Sequence, residues 1–482
     1  MKKIASRTVP SENPNNMSEE NQIKPDSTQN IKQNDNTNRM GTAPIGRTLA
    51  AMSWPAILSM SVNALYNVVD SIFVSKYDPL ALTAVSLVMP IQLIMVALTV
   101  GSGVGVNSVI SRRLGEKNFE DANKAASISV RIGLFNYLIF LLIGVFLTVP
   151  FISHYTKNTT DVKVFEYGTT YMRLVLSVAI FSAVEVILQK VMQATGNMKG
   201  PMICSIAGCV TNIILDPILI FGYFGAPRLG VAGAAIATVF GQFVAFLLAV
   251  YFVKKQSVIK LKVFGFKMDW KVVKDIYAVS IPSIFMQMIG SVMLIGYNTI
   301  LAGDNTSIAV LGVYQKLQSF VFMPVFGLNQ GAMPLMGYNY GAKNRERLMK
   351  TYKLGLSAAF VIMLFGLVIF QLIPEVFLRL FNAQGEMMTV GVKALRRISI
   401  CFIPASFGIM TSTLFQGTGH AIYSLFSSLI RQLVGILPLA YILFRIGGAE
   451  LSWFSFPLAE ILGCAYLIIM LRRLYTKELR HL

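Results

Sequence analysis

A chain of 482 residues with 54% hydrophobic and only 13% charged types departs from soluble globular chains, where about 25% of residues are charged. The balance excludes a disordered chain, a typical soluble enzyme and a disulfide-stapled secreted module; the four cysteines, Cys204, Cys209, Cys401 and Cys464, all fall inside apolar runs and read as buried small hydrophobes. A net charge of +19 would suggest nucleic acid in a soluble domain, but in a membrane protein it reads first as Lys and Arg retained on the cytoplasmic side.

Residues 1–46 are polar and rich in Asn, Ser, Lys and Glu, and are predicted to form a disordered tail. They are not a signal peptide, because no apolar run follows Lys2-Lys3. From Thr48 onward apolar runs recur over 48–75, 80–111, 122–149, 165–193, 200–222 and 231–253. They resume over 270–302, 307–338, 352–373, 390–416, 421–445 and 452–472. Each is long enough to cross a bilayer as a helix of about 20 residues. Strands would need only about ten residues, and backbone groups in lipid must be satisfied within their own segment. Twelve spans put both termini on one side. Lys and Arg crowd the connections 2–3, 6–7 and 8–9, so that side is predicted to be cytoplasmic. The same asymmetry accounts for the net charge without a nucleic-acid partner.

Residues 84–118 align without gaps on 310–344: Gln92 meets Gln318, Gly101 meets Gly327, Gly105 meets Gly331, and Gly115-x-Lys117-Asn118 meets Gly341-x-Lys343-Asn344. Further on, QATGN at Gln193–Asn197 echoes QGTGH at Gln416–His420. The expected fold is therefore all-α and integral to the membrane, with twelve transmembrane helices in two pseudo-symmetric six-helix lobes. These lobes cover 47–253 and 270–475; a basic linker, 254–269, joins them, and a short tail follows at 476–482. Two parallel six-helix lobes are a transporter plan, with the substrate path between them.

Several of these residues carry a resemblance to a known family. Asp70 in the first span, the QATGN run, Asn212-x-x-x-Asp216-Pro217, and GVAGAAIAT at Gly230–Thr238 with Gln242 resemble multidrug and toxic compound extrusion (MATE) transporters. Tyr314-Gln315-Lys316 and Gly341-Ala342-Lys343-Asn344 fit the bacterial drug-efflux and DNA-damage-inducible branches. The resemblance covers about residues 45–475. It implies an antiporter of the bacterial plasma membrane that expels organic, mostly cationic, compounds while H⁺ or Na⁺ flows inward.

Charge within the apolar spans needs a reason, because each such group costs a few kcal/mol. The acidic candidates are Asp70, Glu185, Asp216 and Glu460. Asp70 and Asp216 each fall about six residues from the outer end of their helix, Asn212 lies one turn deeper, and Thr238 lies about seven residues into span 6. At 1.5 Å per residue these four share one layer about 6 Å thick in the outer half. Two carboxylates, an amide and a hydroxyl supply only oxygen, which suits a hard cation such as Na⁺; the same pair could instead share a proton. The resemblance admits either ion at these positions. The second lobe lacks the set, since Asp70 falls near Tyr297 and Asp216 near Leu437 in the repeat. Glu460 falls where Thr238 does, and is either a second-lobe proton or substrate-cation site or half of an ion pair. Glu185, near Lys190, reads as a gate or structural residue. Met286, Gln287, Met293 and Tyr297 in span 7 are candidates for a substrate cavity, because thioethers and aromatic faces suit varied aromatic cations.

An enzyme finds no support: His154, His420 and His481 are scattered, and no histidine–carboxylate metal motif, nucleophile elbow or P-loop is present. Without an ATP site the energy must come from an ion gradient, and no cofactor is implied. The expected partners are small organic molecules and membrane lipids, with the protein acting as a monomer. A lipid-linked oligosaccharide flippase of the same superfamily is the rival reading. It would call for a more cationic central cavity than these few intramembrane arginines provide.

Overall fold

The computed structural model describes residues 35–157, 162–256, 258–263, 265–381 and 383–482, and among these the chain is helical with no strand. The last part of the expected disordered tail is ordered instead. Residues 1–34 lie outside the described residues, but α1 (Asp35–Thr42) is a helix, and Met40 in it is buried with its carbonyl accepting from Arg347 Nη2 at 3.1 Å.

The first lobe comprises α2 (Ile45–Tyr77), α3 (Pro79–Gly115), α4 (Phe119–Leu142), α5 (Thr148–Thr156), α6 (Val162–Ser177), α7 (Ile180–Ala194), α8 (Lys199–Phe221) and α9 (Val231–Lys255). The second comprises α10 (Trp270–Ile300), α11 (Asn305–Gly341), α12 (Arg345–Leu372), α13 (Pro374–Leu380), α14 (Glu386–Ser399), α15 (Phe402–Gly417), α16 (Ala421–Leu429), α17 (Leu437–Ser452) and α18 (Ser455–Lys477). Ten helical stretches are long and apolar enough to cross a bilayer; the pairs α6–α7 and α14–α15, each bent by 46°, complete twelve spans. Large apolar side chains on the outside, such as Phe146, Phe365 and Ile469, are at least 60% exposed. So much exposed apolar surface marks a lipid-facing belt, and the protein is a multi-pass membrane protein.

The repeat extends to local stereochemistry. Asp78 and Asp304, 226 residues apart, cap α3 and α11 by accepting from Leu80 N and Ser307 N, both at 2.9 Å. Such caps satisfy N–H groups that have no partner inside the helix. Asn118 and Asn344 cap α4 and α12 from Asp121 N (3.1 Å) and Arg347 N (3.0 Å), each after a lysine of positive φ, Lys117 at 59° and Lys343 at 54°. Both bent spans break at equivalent points, before α7 and before α15.

The lobes meet through the first part of α2 and α10 and the last part of α3 and α11. A Cβ on Gly115 would stand 2.0 Å from Tyr338 O, and one on Gly341 would stand 2.1 Å from Arg112 O. The two helices therefore cross backbone to backbone, at reciprocal positions, where only glycine fits. Gly105 seats Ser280 and Gly331 seats Ser53 by the same exchange. Ser280 Oγ donates to Ser102 O (3.1 Å) and Ser108 Oγ to Gln416 O (2.6 Å) across the seam. Moving away from this end, the seam's last bonds link Lys190 Nζ to Gln330 Oε1 (3.1 Å) and Gln330 Nε2 to Met60 Sδ (3.3 Å). Among the described residues no hydrogen bond joins the lobes beyond that level. The bonds between the lobes thus gather at the end carrying the basic connections and stop at Lys190 and Gln330, from which we infer that the lobes part beyond that level into a cleft with these residues at its apex.

The linker does not hang free. Arg131 Nε donates to Val263 O (2.7 Å) and its Nη2 to Phe266 O, while Lys260 N donates to Asn123 Oδ1 (2.8 Å). Arg131, although it falls within the third apolar run, is therefore a clamp that straps the linker along α4. Asp269 caps α10, and the Lys271 N–H together with the Lys124 ammonium holds its carboxyl below the usual carboxylate range. The C-terminal segment also docks: Leu479 is buried, and Glu478 accepts from Tyr340 OH (2.6 Å) and pairs with His420 Nε2 (3.0 Å).

Candidate functional site

In the cleft-side half of the first lobe the apolar core, built from Val74, Val88, Met172, Ile220 and Val231 among others, surrounds a polar cluster. Three helices supply it. Asp70 comes from α2, Asn212 and Asp216 from α8, and Thr238 from α9. Asp216 is fully buried and Asn212 is 2% exposed. The i,i+4 spacing of Asn212 and Asp216 puts both on one face of α8. Oriented so that its nitrogen donates to Asp216 Oδ2 at 2.8 Å, the Asn212 carboxamide accepts from Thr238 N (2.9 Å) and Thr238 Oγ1 (3.3 Å). The amide is thus the joint between the carboxyl of α8 and the start of α9.

Asp70 reaches across from α2, and its carboxyl lies within hydrogen-bonding reach of that of Asp216. Two carboxyl groups this close in a dry interior do not both remain bare anions. A proton is shared, or a cation sits with them. Asp70 Oδ1 and Asp216 Oδ1 are both buried without a hydrogen-bond partner, and so is Gln242 Oε1 one turn beyond Thr238. Orphaned acceptors of this kind fit an added proton or an oxygen-ligated ion. Among the described residues no group of three His, Cys, Asp or Glu side chains could hold a metal, so the donor set suits a monovalent cation or H⁺ rather than a zinc-type ion.

Sequence reasoning brought Asp70, Asn212, Asp216 and Thr238 together, and the structure joins them. It missed two tyrosines. The hydroxyls of Tyr66, one turn before Asp70, and of Tyr171 on α6 both lie close to Thr238. Tyr171 also accepts from Gln92 Nε2 at 3.4 Å. The i−4 spacing of Tyr66 from Asp70 was a usable signal; nothing local marks Tyr171.

The other candidates separate. Glu460 pairs with Arg431 Nη1 at 2.7 Å, and Arg431 projects from the π turn Ile430–Ile436 that interrupts the eleventh span. Glu185 is buried within the first lobe, where Gln189 Nε2 donates to it and to Ser205 Oγ. It does not pair with Lys190. The span-7 cavity set is corrected. Tyr297 is fully buried, stacks on Trp453 with centroids 5.8 Å apart, and donates to Ser452 O (2.9 Å). Met293 is buried in the same core at 8% exposure. Only Met286, which accepts from Gln416 Nε2 at 3.7 Å, and the exposed Gln287 remain accessible. Composition identified the residue types but not the face each presents.

Two six-helix lobes related by an internal repeat, a seam closed at one end and a buried acidic cluster in an all-helical membrane chain define a membrane transporter rather than an enzyme. The MatE family model matches residues 55–218 and again 278–442, an offset of 223 at the start and 224 at the end that restates the internal repeat, and the chain belongs to the MATE transporter family. It is 26% identical over 437 residues to the multidrug export protein MepA of Staphylococcus aureus strain MSSA476, covering 89% of this chain and 95% of that protein. It is 25% identical over 442 residues to an FAD transporter of Shewanella oneidensis, covering 88% and 95%. Among solved structures, an outward-facing multidrug resistance MATE transporter of the MOP superfamily superposes with a TM-score of 0.84 at 26% identity, over 92% of this chain and 98% of that one. A MOP superfamily transporter from Pyrococcus furiosus, described as having a binding pocket of reverse polarity, gives 0.83 at 26% identity with the same coverage.

Proposed function

We propose that this protein is a multidrug efflux antiporter of the bacterial plasma membrane, acting as a monomer and exporting amphipathic organic compounds in exchange for inward H⁺ or Na⁺. The observation that carries the reading is the paired Asp70 and Asp216 carboxyls, bridged through Asn212 to Thr238, with an unpartnered oxygen on each acid. A buried pair that must hold a proton or a cation, placed beside a cleft, is what an ion-driven exchanger requires. The relatives named for multidrug export support the substrate class.

The coupling route is mechanical. The helix that bears Asp70 also bears Ser53 and Ile57, which seat on Gly331 and Gly327 of the opposite lobe. Ion occupancy at one end of α2 biases the packing at the other, about 20 Å away at 1.5 Å per residue. Drug and ion then act on one equilibrium between lobe arrangements, each through its differential affinity for the two states. With both termini cytoplasmic, the closed end faces inward and the cleft outward.

The test is transport of a lipophilic cationic dye in proteoliposomes under separately imposed Na⁺ and pH gradients. Uptake or extrusion driven by one gradient identifies the ion. Activity with neither sinks the antiport reading.

A further inference from the structure

The cleft apex holds a buried cation that the coupling chemistry does not use. Lys190 on α7 is 9% exposed, and its ammonium donates to two neutral acceptors, Gln193 Oε1 at 2.9 Å and Gln330 Oε1 at 3.1 Å. No carboxylate among the described residues pairs with it. Glu185, five residues earlier, faces α8 instead and is engaged by Gln189. A buried ammonium without a counter-ion is costly, and amide oxygens compensate it less well than a carboxylate does.

The lysine is also deliberately accommodated. A Cβ on Gly103 would lie 2.6 Å from Lys190 Cγ, so the α3 glycine makes room for the side-chain stem. Folding does not require a cation at this point in a lobe. The repeat equivalent, taken from the 223-residue offset of the Gln193 and Gln416 motifs, is Thr413, which is buried and bonds only its own helix at Ile409 O (2.8 Å). Lys190 stands at the last inter-lobe bond before the cleft, with the polar Gln193, Gln330 and Gln416 and the thioethers of Met60 and Met286 around that level.

We propose that Lys190 is the receptor for a carboxylate on the transported compound. The carboxylate takes the ammonium from Gln330 Oε1, forming a charge-assisted pair and releasing one of the outermost tethers between the lobes, beside those that Gln330 makes with Gln193 and Met60. Substrates bearing a carboxylate beside a hydrophobic, cationic ring system are then preferred over their esters. This deepens the efflux reading and rests on it.

The test uses two dyes that differ only at that group: rhodamine 110, with a free carboxylate, and rhodamine 123, its methyl ester. Binding to the purified full-length protein is followed by fluorescence anisotropy. Lys190→Gln is expected to weaken rhodamine 110 by about tenfold or more, the scale of one hydrogen bond to a charged group, and to leave rhodamine 123 unchanged. Gln330→Leu removes the competing acceptor and is expected to tighten rhodamine 110 by about threefold or more, again without effect on the ester. This second variant decides the matter should Lys190→Gln fold poorly. Equal changes for both dyes, or none for rhodamine 110, overturn the carboxylate subsite while the efflux reading stands. Wild-type protein that binds neither dye overturns both.

Discussion

Asn212→Ala tests the coupling site most sharply, because it removes no charge. The substitution deletes the donor to Asp216 Oδ2 (2.8 Å) and the acceptor for Thr238 N (2.9 Å) and Thr238 Oγ1 (3.3 Å). A buried polar group left without its partner costs about 1–3 kcal/mol. If the ion needs Asp216 and Thr238 held at one point, most of that cost falls on ion binding. The expected loss of ion affinity is then about 10- to 100-fold at 1.4 kcal/mol per decade. Both carboxyls remain, so maximal efflux is expected to be retained at saturating ion. The assay is dye efflux in proteoliposomes against a series of Na⁺ concentrations or pH values, read as the half-saturating ion level and the maximal rate. An unchanged half-saturating level, with normal protein insertion, would falsify the view that Asn212 organises the site. Loss of transport at every ion level would show that the amide does more than position.

Asp70→Asn keeps size but removes the titrating charge, and is expected to abolish gradient-driven efflux while the purified protein still binds dye; full resistance of cells to toxic cations with this variant would make the first-lobe carboxyls structural. Glu460→Gln leaves Arg431 without its charged partner, and is expected to destabilise the protein by about 3 kcal/mol, with a milder effect on coupling. A melting temperature that does not fall, or that Arg431→Met fails to restore in the double variant, would contradict a structural pair. Orientation is checked with single cysteines in a background lacking the four native ones: position Glu346 on α12 should resist an impermeant thiol reagent in intact cells and position Asn305 on α11 should react, and the reverse pattern would invert the topology.

The parts of the molecule legible in the sequence are those set by scarcity and by period. Charges in apolar helices are rare, so Asp70 and Asp216 stood out. Helical spacing placed Asn212 on the face of Asp216, and counting depth brought in Thr238. The repeat was equally readable, because Gly105 with Gly331 and Gly115 with Gly341 mark places where backbones touch. Tyr171 was hidden because tyrosine is at home in any apolar helix, and Tyr66 was marked only by its i−4 spacing from Asp70. Tyr297 and Met293 misled for the complementary reason, since their chemistry suits a drug and only packing reveals that they are sealed in. The ion pair of Glu460 with Arg431 joins residues 29 apart in sequence through a π turn, a backbone irregularity with no residue signature here.

The two lobes share a frame but not a chemistry, and the difference bears on which lobe can move in response to an ion. Near the repeat position of Asp70 the second lobe has Tyr297, fully buried, stacked on the equally buried Trp453 and anchored to Ser452 O. Around Tyr297 the second lobe is an aromatic core, and the buried carboxylate there, Glu460, is already paired with Arg431; close-packed interiors of this kind resist deformation. In the first lobe the same depth holds two acids whose contacts change with every proton or cation gained or lost. On the proposed coupling, ion-dependent rearrangement would begin in α2, α8 and α9, the helices that carry the acidic cluster, with the second lobe as the surface against which α2 shifts. Ser53 and Ile57 of α2, which seat closely on Gly331 and Gly327 of α11, are where the proposed coupling would carry that shift across the seam.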